Sequence, residues 1–150
     1  MKYLSLFIFT FSFYIASAQI SFNSGSAQLD SDLKAINTQA SLNLSLFNKE
    51  MHVSYHVSEK KLNYMSVSLG MIPGEIYFSL EISKIAKVSL DRVLTIYKNH
   101  KSRGWGVIAK ELGIKPGSVE FHQLKKSASS RKDKSQGKKH MSTHKKKGKN

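Results

Sequence analysis

The chain has 150 residues, no cysteine and a formal net charge of +14, which excludes disulfide frameworks, thiol chemistry and cysteine-based zinc sites and leaves stability to packing. The charge is uneven. Residues 125–150 hold eleven Lys or Arg against the single acid Asp133, whereas residues 19–124 hold twelve basic and nine acidic side chains and suffice for one modest core.

Lys2, an apolar run from Tyr3 to Ile15 and the small residues Ala16-Ser17-Ala18 have the layout of an export signal, cleaved before Gln19. The run is about 13 residues, against roughly 20 for a spanning helix. Residues 1–18 are therefore expected to be removed, and the mature chain to be periplasmic or secreted without a transmembrane segment. Residues 19–28, QISFNSGSAQ, read as a flexible lead-in.

From Leu29 the pattern changes. Leu33, Ile36, Ala40, Leu44, Phe47 and Met51 recur three and four apart, which predicts one amphipathic helix from Asp30 or Asp32 to about Val53. MHVSYHVS, Met51 to Ser58, alternates like a strand, but no second alternating run exists to pair with it, so a helix end and an extended link are expected. Ser58 is placed to cap a short helix carrying Leu62, Met65 and Leu69 and ending at Gly70. Pro73 suits a helix start. The segment from there to Ala86 is apolar on most sides, through Ile76, Tyr77, Phe78, Leu80, Ile82 and Ile85, and is the expected central helix. Ser89 caps the next, with Asp91 in its first turn and Leu90, Val93, Leu94 and Tyr97 facing inward.

Gly104 to Lys125 carries the densest local signals. Trp105, Ile108, Ala109 and Leu112 form one apolar stripe, Gly113 ends that helix, Pro116-Gly117 make a turn, and Ser118 caps a second helix running into Phe121 and Leu124. The sum over residues 29–124 is an all-α fold, a single small bundle of five or six short helices. Residues 125–150, almost devoid of apolar side chains, are expected to be a disordered Lys-rich tail.

Two resemblances attach to this stretch. Ile108 to His122, IAKELGIKPGSVEFH, looks like a helix-turn-helix unit. In such a unit Val119 would pack inward and Phe121 would face out, leaving Glu120, Gln123 and Lys125 to meet DNA. Over a longer span, Leu29 to Lys125, the helical pattern with GMIPGEIY (Gly70 to Tyr77) and GWGVIAKELGIKPGSVEFHQLK resembles small exported bacterial proteins of unknown function. Its specific part is Gly104, Trp105, Gly106, Gly113, Pro116, Gly117, Ser118 and His122. That resemblance implies an exported helical protein and assigns no activity.

Candidate chemistry is sparse. His52 and His56 share a helix face if the helix continues, but lack a third ligand, and His140 and His144 lie in the tail, so no metal site is expected. Trp105 reads as core rather than a stacking platform. His122 has no nucleophile to activate, and Lys115 to Ser118 reads as a turn rather than an anion nest. No catalytic residue or cofactor is expected. The tail lysines and arginine, Lys125, Lys126, Arg131, Lys132, Lys134, Lys138, Lys139, Lys145, Lys146, Lys147 and Lys149, are expected to bind polyanions, whether nucleic acid, lipid headgroups or polysaccharide. The expected function is a non-enzymatic exported protein attached to an anionic polymer or surface. The alternatives are a helix-turn-helix DNA binder and a small periplasmic enzyme using a cleft that joins His52, Glu75 and His122.

Overall fold

A computed structural model describes residues 20–145 of the chain, with side chains through Ser135. The expected export signal, residues 1–18, lies outside them. The fold is all-α. Among the described residues there are seven α-helices and no strand, and no helix is long and apolar enough to cross a membrane.

Helix α1 spans Ala27–Leu42 and begins at Ser26, whose hydroxyl accepts the Leu29 N–H at 3.4 Å. Leu29, Leu33, Ile36 and Ala40 form its buried stripe. The single long helix expected here is two. Asn43 leaves the helical conformation, with φ −152° and ψ 80°, and its side chain accepts the Leu46 N–H at 3.0 Å, so a second helix, α2, Leu44–Tyr55, starts there. The break turns the chain. Phe47 and Met51 stay buried, whereas Leu44, expected on the same stripe, is exposed.

Ser58 caps α3, Glu59–Asn63, which runs on into a π turn over Tyr64–Ser68 closed by the Leu69 N–H to Tyr64 carbonyl bond at 3.1 Å. Helix α4, Pro73–Ala86, opens on its proline, and Glu75 reaches back to the Ile72 N–H at 3.1 Å. It packs against α1, α2, α7 and the following α5, Leu90–His100. Helix α4 is therefore the central helix, with Ile76, Tyr77, Phe78, Leu80 and Ile82 all buried. Ser89 caps α5, and a 3₁₀ turn, Lys101–Arg103, leads into α6, Trp105–Glu111.

Residues 20–26 carry no helix, as a lead-in would, but they are tied down. Phe22 and Ser24 are each 1% exposed, and the N–H groups of Trp105 and Gly106 donate to the carbonyls of Phe22 and Asn23 at 2.9 and 2.8 Å. The glycines beside Trp105 make this crossing possible. Gly104 has φ +87° and ψ 165°, a region open essentially to glycine, and a Cβ there would sit 2.5 Å from the Asn23 Cβ. Gly74 serves the same strap from the other side, since a Cβ would meet Phe22 Cζ at 2.7 Å. Gly74, Gly104 and Gly106 thus share one structural task.

The end of the bundle also differs from expectation. Helix α7 spans Val119–Lys145, so the boundary expected at residue 125 falls inside a helix. Phe121, Leu124 and Ala128 are buried at 8, 1 and 0% exposure. The same stripe continues through charged pairs: Arg131 Nη2 lies 2.6 Å from Glu50 Oε2, and Lys132 Nζ lies 2.6 Å from Asp32 Oδ1. Lys125 to Ser135 are therefore part of the packed body, against the expected disorder. Their apolar content is too low to show it, because the acids that hold them lie on α1 and α2.

Candidate functional site

Helices α2, α4 and α7 enclose a cleft of about 490 Å³. Tyr77 and Glu81 are four apart on α4 and so project from one face; Tyr55 comes from the last turn of α2, and Lys126, Ser130, Arg131 and Lys134 come from α7. Tyr55 donates its hydroxyl hydrogen to Glu81 Oε1. Glu81 is only 5% exposed, and its second oxygen has no hydrogen-bond partner. Arg131 is likewise half satisfied: Nη2 is paired with Glu50, while the buried Nε has no partner. Lys84 holds its ammonium 5.8 Å from the centre of the Tyr55 ring, a cation–π contact that narrows one side.

The electrostatics keep both phenols neutral. Burial first, then the charge of Glu81, pushes the Tyr55 hydroxyl well above the ordinary phenol range, and Tyr77 shifts the same way for the same leading causes. The interior of the cleft therefore presents an anion and neutral hydroxyls, while its rim is cationic.

A second cleft, about 410 Å³ and more apolar, lies between α1, α2 and α7 and shares Arg131 and Lys134 with the first. A third, lined by Tyr55, His56, Ser58 and Lys84, lies beyond Tyr55.

The predicted binding residues separate into distinct groups. Lys126 and Lys134 are exposed and line the first cleft, and Lys125 is half-buried. Arg131 and Lys132 face inward onto Glu50 and Asp32, and the hydrogen bond that the Lys132 ammonium donates to Asp32 raises its pKa. These two are docking residues first. Lys138, Lys139 and Lys145 belong to α7 beyond the described side chains, and Lys146, Lys147 and Lys149 lie outside the described residues.

The motif residues are structural in placement. Trp105 is 3% exposed, its indole 5.3 Å from both the Phe78 and Tyr97 rings, and its N–H donates to Glu75 Oε1 at 3.3 Å. Gly106 sits under the strap, Gly113 and Gly117 take positive φ at the ends of the α6–α7 loop, and Pro116 is exposed within it. Ser118 caps α7 by accepting the Phe121 N–H at 3.2 Å. Val119 is 69% exposed and Phe121 buried, the reverse of the helix-turn-helix arrangement, and His122 is exposed.

His52, Glu75 and His122 line none of these three clefts. Glu75 is engaged by Ile72, Tyr97 and Trp105, and His52 Nδ1 lies 2.8 Å from the Val57 carbonyl. His56 ends α2 in the left-handed conformation, φ 53°, so the helical spacing to His52 ends there. Among the described residues no three His, Cys, Asp or Glu side chains converge as a metal site would need.

Sequence periodicity does not single out Tyr55, Tyr77 or Glu81. The available signal was Glu81 itself, one acid in the middle of an otherwise apolar central helix, where an unpaired charge is costly. Comparison with protein-family models, with curated proteins and with solved structures finds no match.

Proposed function

We propose that the protein is an exported, non-enzymatic helical protein that binds polyanions through α7. The observation that carries this reading is the division of cations on that helix. Arg131 and Lys132 are taken up by Glu50 and Asp32, whereas Lys126 and Lys134 remain exposed and meet Lys84 at one cleft. Six further lysines follow Ser135 in the sequence. Converging cations of this kind attract any polyanion in a salt-dependent way, and residues 125–150 contain no Phe, Tyr or Trp on which a base could stack.

The test is retention on immobilised heparin as a function of salt. A chain ending at Ser135 keeps the packed part of α7 and loses six lysines, and it is expected to elute at clearly lower salt. Unchanged elution would remove α7 from the account. Export is tested by fractionation with N-terminal sequencing. Gln19 as the first residue outside the cytoplasm is the expected result, and an intact chain with Met1, recovered from the cytosol on DNA, would replace this reading with the DNA-binding one.

A further inference from the structure

We infer that the cleft between α2, α4 and α7 is a subsite for an acidic sugar, one hexuronate unit of a polysaccharide, with a sugar hydroxyl at Glu81 and the carboxylate at the lysine rim. This deepens the polyanion reading and rests on it.

The argument starts from two unsatisfied groups. Glu81 Oε2 is an acceptor without a donor, and Arg131 Nε is a donor without an acceptor; both belong to side chains lining this cleft. Leaving such groups buried and unpaired is costly, the more so when they are charged, so a ligand that pairs them is favoured by the amount it relieves. An ammonium would serve Glu81 and repel Arg131. A hydroxyl both donates and accepts, which suits the two together.

The rim sets the second requirement. Lys84, Lys126 and Lys134 line the cleft around this interior and call for an anion on the same ligand. A neutral sugar leaves them unused. A DNA strand supplies the anion, but its sugars carry no free hydroxyl within the chain, and the rings of Tyr55 and Tyr77 meet edge to face at 78°, leaving no stacking platform for a base. Hydroxyls and a carboxylate on one ring are the chemistry of a uronic acid. The volume, about 490 Å³, lies within the usual range for small-ligand sites.

Isothermal titration of the mature chain with tetragalacturonate, with neutral galacto-oligosaccharide and with a DNA oligonucleotide as comparators, tests the inference. Saturable binding of the uronate is expected, lowered at least tenfold by Glu81→Gln, which places an amide where the hydroxyl donates. Ser130→Trp, at an exposed position on the cleft wall, should block it as well and does not depend on the buried carboxylate for folding. Uronate affinity unchanged in both variants, or equal binding of the neutral sugar or of DNA in the cleft, would overturn the subsite. Failure of the broader reading looks different, as heparin retention indifferent to loss of the residues after Ser135.

Discussion

Ending the chain at Leu124 rather than at Ser135 separates a bundle that stops before the basic segment from one that includes its first turns. The cut at Leu124 removes the fully buried Ala128 methyl, worth about 0.8 kcal/mol. It also removes the Arg131 partner of Glu50, a charge-assisted bond of 2.6 Å between side chains 19 and 21% exposed, worth about 1.5–3 kcal/mol. Without the turns that follow, the carbonyls around Leu124 lose their helical partners and the burial of Leu124 is partly forfeited. The combined loss is about 3–5 kcal/mol, and at roughly 4 °C or more per kcal/mol for a domain of this size the Tm should fall by at least ~12 °C. The cut at Ser135 removes none of these groups and should stay within about 0.5 kcal/mol of the full chain. Thermal unfolding followed by circular dichroism reads both. Equal melting of the two truncated chains would refute the docking of α7.

Gly104→Ala combines a backbone region closed to alanine with a Cβ 2.5 Å from Asn23 and should cost about 3 kcal/mol in urea unfolding. Gly113→Ala, also at positive φ but with open space around the added methyl, should cost only about 1 kcal/mol; equal costs would mean that the strap does not press on Gly104. Stability should decline at alkaline pH. The phenols of Tyr55, Tyr77 and Tyr97 are held above their ordinary value, chiefly by burial. The neutral form is therefore favoured in the folded state, and this contribution is complete below the unfolded phenol pKa of about 10 and is lost as pH rises through the folded values. The denaturant midpoint should fall above pH ~10, less steeply in Tyr77→Phe. A midpoint insensitive to pH there would contradict it.

Most helices were legible because each carries its own punctuation. Ser58, Pro73, Ser89, Gly113 and Ser118 all begin or end an element in the expected place, since capping depends on a few neighbouring residues and little else. The errors fall where the deciding partner is distant. Asn43 divides α1 from α2 within an unbroken run of helical spacing, because a cap can override periodicity. Arg131 and Lys132 look like tail charges until Glu50 and Asp32 are brought to them across the bundle. Phe22 sits in a polar segment and is buried over Gly74 of α4, while Gly106 of α6 lies against the backbone of Asn23 and Ser24. The cleft was illegible for the same reason: its acid, its phenols and its arginine come from three helices.

The strap over α6 also bears on how the chain is assembled. Its hydrogen bonds join Phe22 and Asn23 to Trp105 and Gly106, more than eighty positions later. During synthesis from the N-terminus, Phe22 and Asn23 wait for these partners until the start of α6 has been made. A nascent chain short of Gly106 lacks the bond that holds Asn23 across α6. A fusion partner joined directly ahead of Ile20 would load this latch.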